Sequence, residues 1–167
     1  MTFSKQDILA LSQGDYFGEG NAQLPSDNML MIDEIDQITQ EGGKYNRGFL
    51  SASFKIAPEQ WFFACHFKGD PVMPGCLGLD ALWQLLGVFL GYSGLPGKGR
   101  ALGVGKVKFS GQIYPDAGEI QYQLQIKRII KKPLTMGIAD GEVRLNGKVI
   151  YQATDLKVGL LKPLNCK

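Results

Sequence analysis

The sequence predicts an α+β domain, a long antiparallel sheet wrapped around one central helix. Three observations predict it. In residues 76–92, Leu77, Leu79, Ala81, Leu82, Trp83, Leu85, Leu86, Val88, Phe89 and Leu90 cover every side of a helix, and a helix apolar all round is a buried one. In residues 119–130, Ile120, Tyr122, Leu124 and Ile126 alternate with Gln121, Gln123, Gln125 and Lys127, the period of a strand with one buried and one wet face. Asn146-Gly147, the pair that suits a tight type I′ turn, separates two further strand-like runs.

Taken in chain order, residues 4–11 read as a short amphipathic helix with Ser4 as its cap and Asp7 near the positive end of its dipole. Residues 29–38 and 44–56 are strand-like, with Glu41-Gly42-Gly43 as the turn between them. The apolar helix at 76–92 is shorter than the ~20 residues of a membrane span and contains Asp80 and Gln84, so it is expected in the core and not inserted in a membrane. Residues 101–114, 119–130, 134–145 and 148–160 supply the long strands of the second half. No linker, repeat or low-complexity tract divides the chain, and residues 1–167 read as one domain.

With 44% hydrophobic and 20% charged residues, the 167-residue chain can bury a sizeable core. A net charge of +2 and the absence of a basic stripe interleaved with aromatics argue against nucleic acid as a partner. The three cysteines, Cys65, Cys76 and Cys166, are odd in number and lack CxxC spacing, and a single histidine is too few for the usual zinc site. A reducing, cytoplasmic setting without metal or cofactor is the expectation. Gln6 and Asp7 interrupt the stretch where a secretion signal would need its apolar core.

His66, the only histidine, is the natural general base near neutral pH. Asp80 is the one carboxyl in the apolar helix, and Gln84, four residues on, lies on the same face and can orient it. For Asp80 to donate a proton at pH 7, burial must raise it by roughly three pH units, which costs about 4 kcal/mol. The competing reading is a partly exposed aspartate in the first helical turn, favoured by the macrodipole. Pro74-Gly75 opens the same helix, so amides near Gly75 and Cys76 would lack intrahelical acceptors and could hold an oxyanion; a plain helix-starting turn explains the pair equally well. A Cys76 nucleophile is the rival chemistry, although a cysteine buried in a helix is usually inert, and strand alternation would separate Cys65 from His66. The cluster at Arg128, Lys131 and Lys132, with Lys157 as an addition, reads as a solvated strand end or a local basic contact. Gly97-Lys98-Gly99-Arg100-Ala101-Leu102, Gly103-Val104-Gly105-Lys106-Val107 and Gly91-Tyr92-Ser93-Gly94-Leu95 each miss a nucleotide, phosphate-loop or nucleophile-elbow pattern.

Trp61-Phe62-Phe63-Ala64-Cys65-His66-Phe67, followed by Gly69-Asp70-Pro71-Val72-Met73-Pro74-Gly75-Cys76-Leu77-Gly78-Leu79-Asp80, resembles the bacterial β-hydroxydecanoyl-[acyl carrier protein] dehydratase/isomerase family. The likeness continues through Gly97 to Gly105, Lys127-Arg128, Met136-Gly137, Ala139 to Glu142 and Asp155 to Gly159. It implies a hot-dog fold and a homodimer whose shared active sites take a histidine from one protomer and an aspartate from the other. On this chain those residues are His66 and Asp80, with Gly75 as the carbonyl-binding amide and Val72 as the carbonyl that orients the imidazole. The family's partner, acyl carrier protein, is strongly acidic, which would draw it to Arg128, Lys131, Lys132 and Lys157. Dehydratases that do not isomerise usually carry glutamate at the position of Asp80 and an aliphatic residue at that of Cys76, so the resemblance implies the bifunctional branch. A dehydratase without isomerase activity, an acyl-thioester hydrolase and a non-catalytic carrier-binding module remain the alternatives.

Overall fold

The computed structural model describes residues 1–162; Cys166 lies outside the described residues. Helix α1 (Lys5–Gln13) starts at Ser4, whose hydroxyl accepts the Asp7 amide while the Asp7 carboxylate accepts the Ser4 amide. This reciprocal cap is worth about 1 kcal/mol and confirms the expected start. Beyond a 3-10 turn at Asp27–Met29 come β1 (Glu34–Thr39), β2 (Phe49–Ile56), the short α2 (Trp61–Cys65) and the central α3 (Gly75–Tyr92). Strands β3 (Lys98–Gly103), β4 (Lys106–Phe109), β5 (Gly118–Ile130), β6 (Thr135–Leu145) and β7 (Lys148–Leu161) complete the chain.

Every strand pairing is antiparallel, in the order β1-β2-β5-β6-β7-β3, with β4 also on β7. The expected sheet around a helix is thus observed. Tyr122, Leu124 and Ile126 on β5 are buried, and Tyr122 donates its hydroxyl to the Met31 carbonyl at 2.9 Å. Gly137 and Gly141 on β6 let the helix sit close, since a Cβ at Gly141 would lie 3.0 Å from Leu82 and one at Gly137 would lie 2.9 Å from Leu90. Asn146 and Gly147 have φ of 51° and 78°, the left-handed pair a type I′ hairpin needs.

Four expectations change. The first strand begins at Glu34 and the second at Phe49, because residues 30–33 and 44–48 are used as connections. The long strand expected over 101–114 is two strands, broken at Val104-Gly105, where the Gly105 amide donates to the Thr154 carbonyl at 2.8 Å. The break faces a bulge in β7. One residue of β6, Asp140, stands opposite two of β7, Thr154 and Asp155, and Asp155 takes a φ of 58°. Finally, α3 is not buried all round: Cys76 is exposed, and Leu79, Asp80, Trp83, Gln84 and Gly87 are only half-buried on the same side.

The two borders of the sheet differ. Along β1 the N-terminal residues add a bridge, with the Phe3 amide on the Ile35 carbonyl (2.9 Å), the Ile35 amide on Phe3 (3.0 Å) and the Ile38 amide on Met1 (3.0 Å). At the opposite border β3 pairs, among the described residues, with β7 alone.

Candidate active site

His66 does not lie on a strand; it is the C-terminal cap of α2, and the strand argument separating it from Cys65 falls away. Cys65 is instead exposed, with its sulfur 3.6 Å from the carbonyls of Trp61 and Phe62. The aromatic run Trp61-Phe62-Phe63 forms α2 by burying Phe62 and Phe63, which anchors the histidine at the helix end. His66 Nδ1 is 2.8 Å from the Val72 carbonyl, and the Val72 amide donates to the His66 carbonyl at 2.8 Å. A carbonyl only accepts, so Nδ1 carries a proton, and this tautomer leaves Nε2 as the nitrogen that can accept one. Phe67 stacks on the imidazole at 4.0 Å.

This ring borders a cleft of about 490 Å³ that also includes Val72, Gly75, Cys76, Phe109 and Tyr151. Gly75 is the first residue of α3, so its amide and that of Cys76 have no acceptor inside the helix, whereas the Leu77 amide donates to the Pro74 carbonyl at 3.0 Å; Gly75 and Cys76 border the cleft at the positive end of the dipole. The space above the Gly75 Cα is not open, as a Cβ there would meet the Phe109 ring at 2.9 Å. Glycine is therefore demanded by the ring within one chain, in addition to any ligand. Cys76, expected to be buried, is exposed beside this cleft.

Asp80 lies in the second turn of α3, not the first, and borders a separate depression of about 150 Å³ with Pro25, Trp83, Gln84, Arg100 and Ala101. The Gln84 amide donates to Asp80 Oδ2 at 2.7 Å, as the spacing predicts. Gln84 is itself fixed by the Met29 carbonyl (2.8 Å) and the Met31 amide (3.3 Å), contacts that no local spacing could reveal. A single chain thus places His66 with Val72, Gly75 and Cys76 on one surface and Asp80 with Gln84 on another. It does not bring the two groups into one cleft.

The basic residues are only partly grouped. Arg128 is paired with Ile138 and Ile138 with Lys157, so Arg128 and Lys157 share one cross-strand row, two strands or ~10 Å apart. Lys131 and Lys132 follow β5 and are exposed. Lys127, by contrast, is bound to Asp155 at 2.7 Å and approaches Asp140 at 3.5 Å. Sequence reasoning did not single out Phe109 or Tyr151, which complete the histidine cleft. Their positions depend on β4 and β7 packing over the helix start, and only their aromatic character was visible beforehand.

Among known proteins, residues 24–154 match the family described as FabA-like domain. The fold is also similar to the dehydratase heterocomplex ApeI:P of Xenorhabdus doucetiae, with a TM-score of 0.60 and 15% identity over 84% of this chain and 89% of that one. It is similar as well to YhdA of Lactococcus lactis, a provisionally assigned thioesterase, with a TM-score of 0.58 and 9% identity over 77% of this chain and 93% of that one. At such identities the two structures speak for the hot-dog fold alone.

Proposed function

The chain belongs to the FabA-like domain family, and on that footing we propose that it dehydrates 3-hydroxyacyl thioesters carried on acyl carrier protein and isomerises trans-2-decenoyl to cis-3-decenoyl thioester. The observation that carries this reading is the imidazole with its Nδ1 tied to the Val72 carbonyl, in one cleft with Gly75 and Cys76, whose amides have no acceptor inside α3. A thioester oxygen bound at Gly75 would accept those amides, which lowers the barrier to an enolate at the alpha carbon. Nε2 of His66 takes the alpha proton. Asp80 of the partner protomer, protonated, gives its proton to the 3-hydroxyl, which leaves as water and yields the trans-2-enoyl thioester. The proton on His66 then restores the acid, each positioned transfer being worth roughly 10²- to 10⁴-fold in rate.

The separation of His66 and Asp80 on one chain supports a homodimer, in which a second copy supplies the other half of each site. Arg128, Lys131, Lys132 and Lys157 supply the attraction for an acidic carrier protein. In the isomerisation a gamma proton leaves and the alpha carbon is reprotonated, so the walls of the acyl-chain tunnel must hold the chain bent; the pairing of Cys76 with Asp80 is what points to this second activity.

Purified protein given 3-hydroxydecanoyl thioester and, separately, trans-2-decenoyl thioester tests the reading by gas chromatography of the products. Interconversion of the two together with a cis-3 product is expected. Hydration without cis-3 product leaves a simple dehydratase, free acid identifies a hydrolase, and carrier binding without turnover identifies a binding module.

A further inference from the structure

Tyr151 is a buried tyrosine, 3% exposed, whose ring lines the histidine cleft. Its position is fixed from three sides. β4 and β6 flank it on β7, pairing it with Phe109 and Val143; the Phe109 ring meets it edge-on at 4.8 Å; and Gly78 of α3 lies so close that a Cβ there would be 2.6 Å from the ring. Three of the other five tyrosine hydroxyls have protein acceptors: Tyr122 bonds Met31, Tyr45 bonds Asp140 and Tyr114 bonds Gln112. That of Tyr151 has none among the described residues, although it lies near Cys76 at the start of α3. Burial, with a smaller contribution from Cys76, pushes its pKa up to about 12, so it stays an O–H donor throughout the working pH range.

We propose that the Tyr151 hydroxyl donates a hydrogen bond to the thioester oxygen of the substrate, acting beside the first-turn amides of α3. The inference rests on the dehydratase reading of the same cleft. The Tyr151 oxygen is not sealed in the core, since Arg144 Nε is the one fully buried side-chain polar atom without a partner among the described residues, so the hydroxyl is available to an oxygen that enters the cleft. Gly75 and Cys76, at the start of α3, line the same cleft as Tyr151, and a thioester carbonyl bound there offers the oxygen. As negative charge grows on this oxygen, the neutral hydroxyl stabilises it more than it stabilises the ground state.

The test is steady-state kinetics of the full-length protein on 3-hydroxydecanoyl thioester. Tyr151→Phe keeps the ring contacts and removes only the donor; kcat is expected to fall by roughly 10- to 100-fold with KM changed by less than about twofold. Replacing Tyr151 with 3-fluorotyrosine, a stronger donor of nearly the same shape, is expected to keep kcat at or above that of the parent. A folded Tyr151→Phe protein with parental kcat overturns the proposal. If Tyr151→Phe does not fold, a kcat for the fluorinated protein that falls below the parent overturns it. If the parent itself does not dehydrate, the reading of the whole cleft fails, which is a different result from failure of Tyr151 alone.

Discussion

At the scale of single residues, the site depends on groups whose partners are backbone atoms. His66 is oriented by Val72, and Asp80 by an amide that is in turn held by Met29 and Met31. His66→Ala and Asp80→Asn are each expected to lower dehydration by at least about 10²-fold while circular dichroism remains native. A folded variant with near-parental turnover would remove that residue from the mechanism. Cys76→Ala is expected to keep most of the activity, whereas an acyl-Cys76 adduct in mass spectra would restore the nucleophile reading. The histidine and the Asp80–Gln84 pair were legible because one was the sole imidazole and the others stood four apart on an apolar helix. Tyr151 was not, since its meaning comes from β4 and α3 meeting over it, and nothing near it in sequence carries that contact.

At the scale of elements, β5, β6 and β7 were legible because alternation and an Asn-Gly turn are local signals. The division of the strand at Val104-Gly105 was not, because its cause is the bulge in a partner strand some fifty residues away, a separation visible in the Gly105–Thr154 bond. That bulge is held by a polar cluster. The Asp140 carboxylate accepts the Asp155 amide at 3.1 Å and the Tyr45 hydroxyl, and Lys127 binds Asp155. Burial alone would raise Asp140, but the Tyr45 and Asp155 hydrogen bonds and Lys127 together hold it below its usual range. A carboxyl lowered in the folded state adds stability above its ordinary value near 4, and that stability is lost as pH falls through the lower folded value. Tyr45→Phe is therefore expected to cost about 1–2 kcal/mol at pH 7, or roughly 2–4 °C in Tm per kcal/mol. The gap should narrow as pH falls below the ordinary carboxyl value and through the lower folded one, where Asp140 becomes protonated in both proteins. A gap that stayed constant with pH would mean that the hydroxyl does not act through the charged carboxylate. The exposed lysines that follow β5 are expected to act differently: Lys131→Glu with Lys132→Glu should weaken turnover of carrier-bound substrate, more so at low salt, and spare a pantetheine thioester. Equal losses on both substrates would indicate structural damage.

At the scale of the whole molecule, the division of His66 and Asp80 between two surfaces makes a complementation experiment decisive. A dimer formed from one His66→Ala and one Asp80→Asn chain has one site with both defects and one with neither. Random reassociation of the two inactive proteins is thus expected to restore about a quarter of parental turnover, since half of the dimers are mixed and each has one of two sites intact. No recovery, with mixed dimers shown to form by native mass spectrometry, would place both groups in one chain. The unequal borders of the sheet bear on what such association can become. Residues 1–3 occupy the β1 margin, so among the described residues the β3 margin is the one open to strand-to-strand addition. Were the two copies in the proposed homodimer to pair along that sticky side, the blunted sides would have nothing left to offer a third, and association would stop short of a fibre.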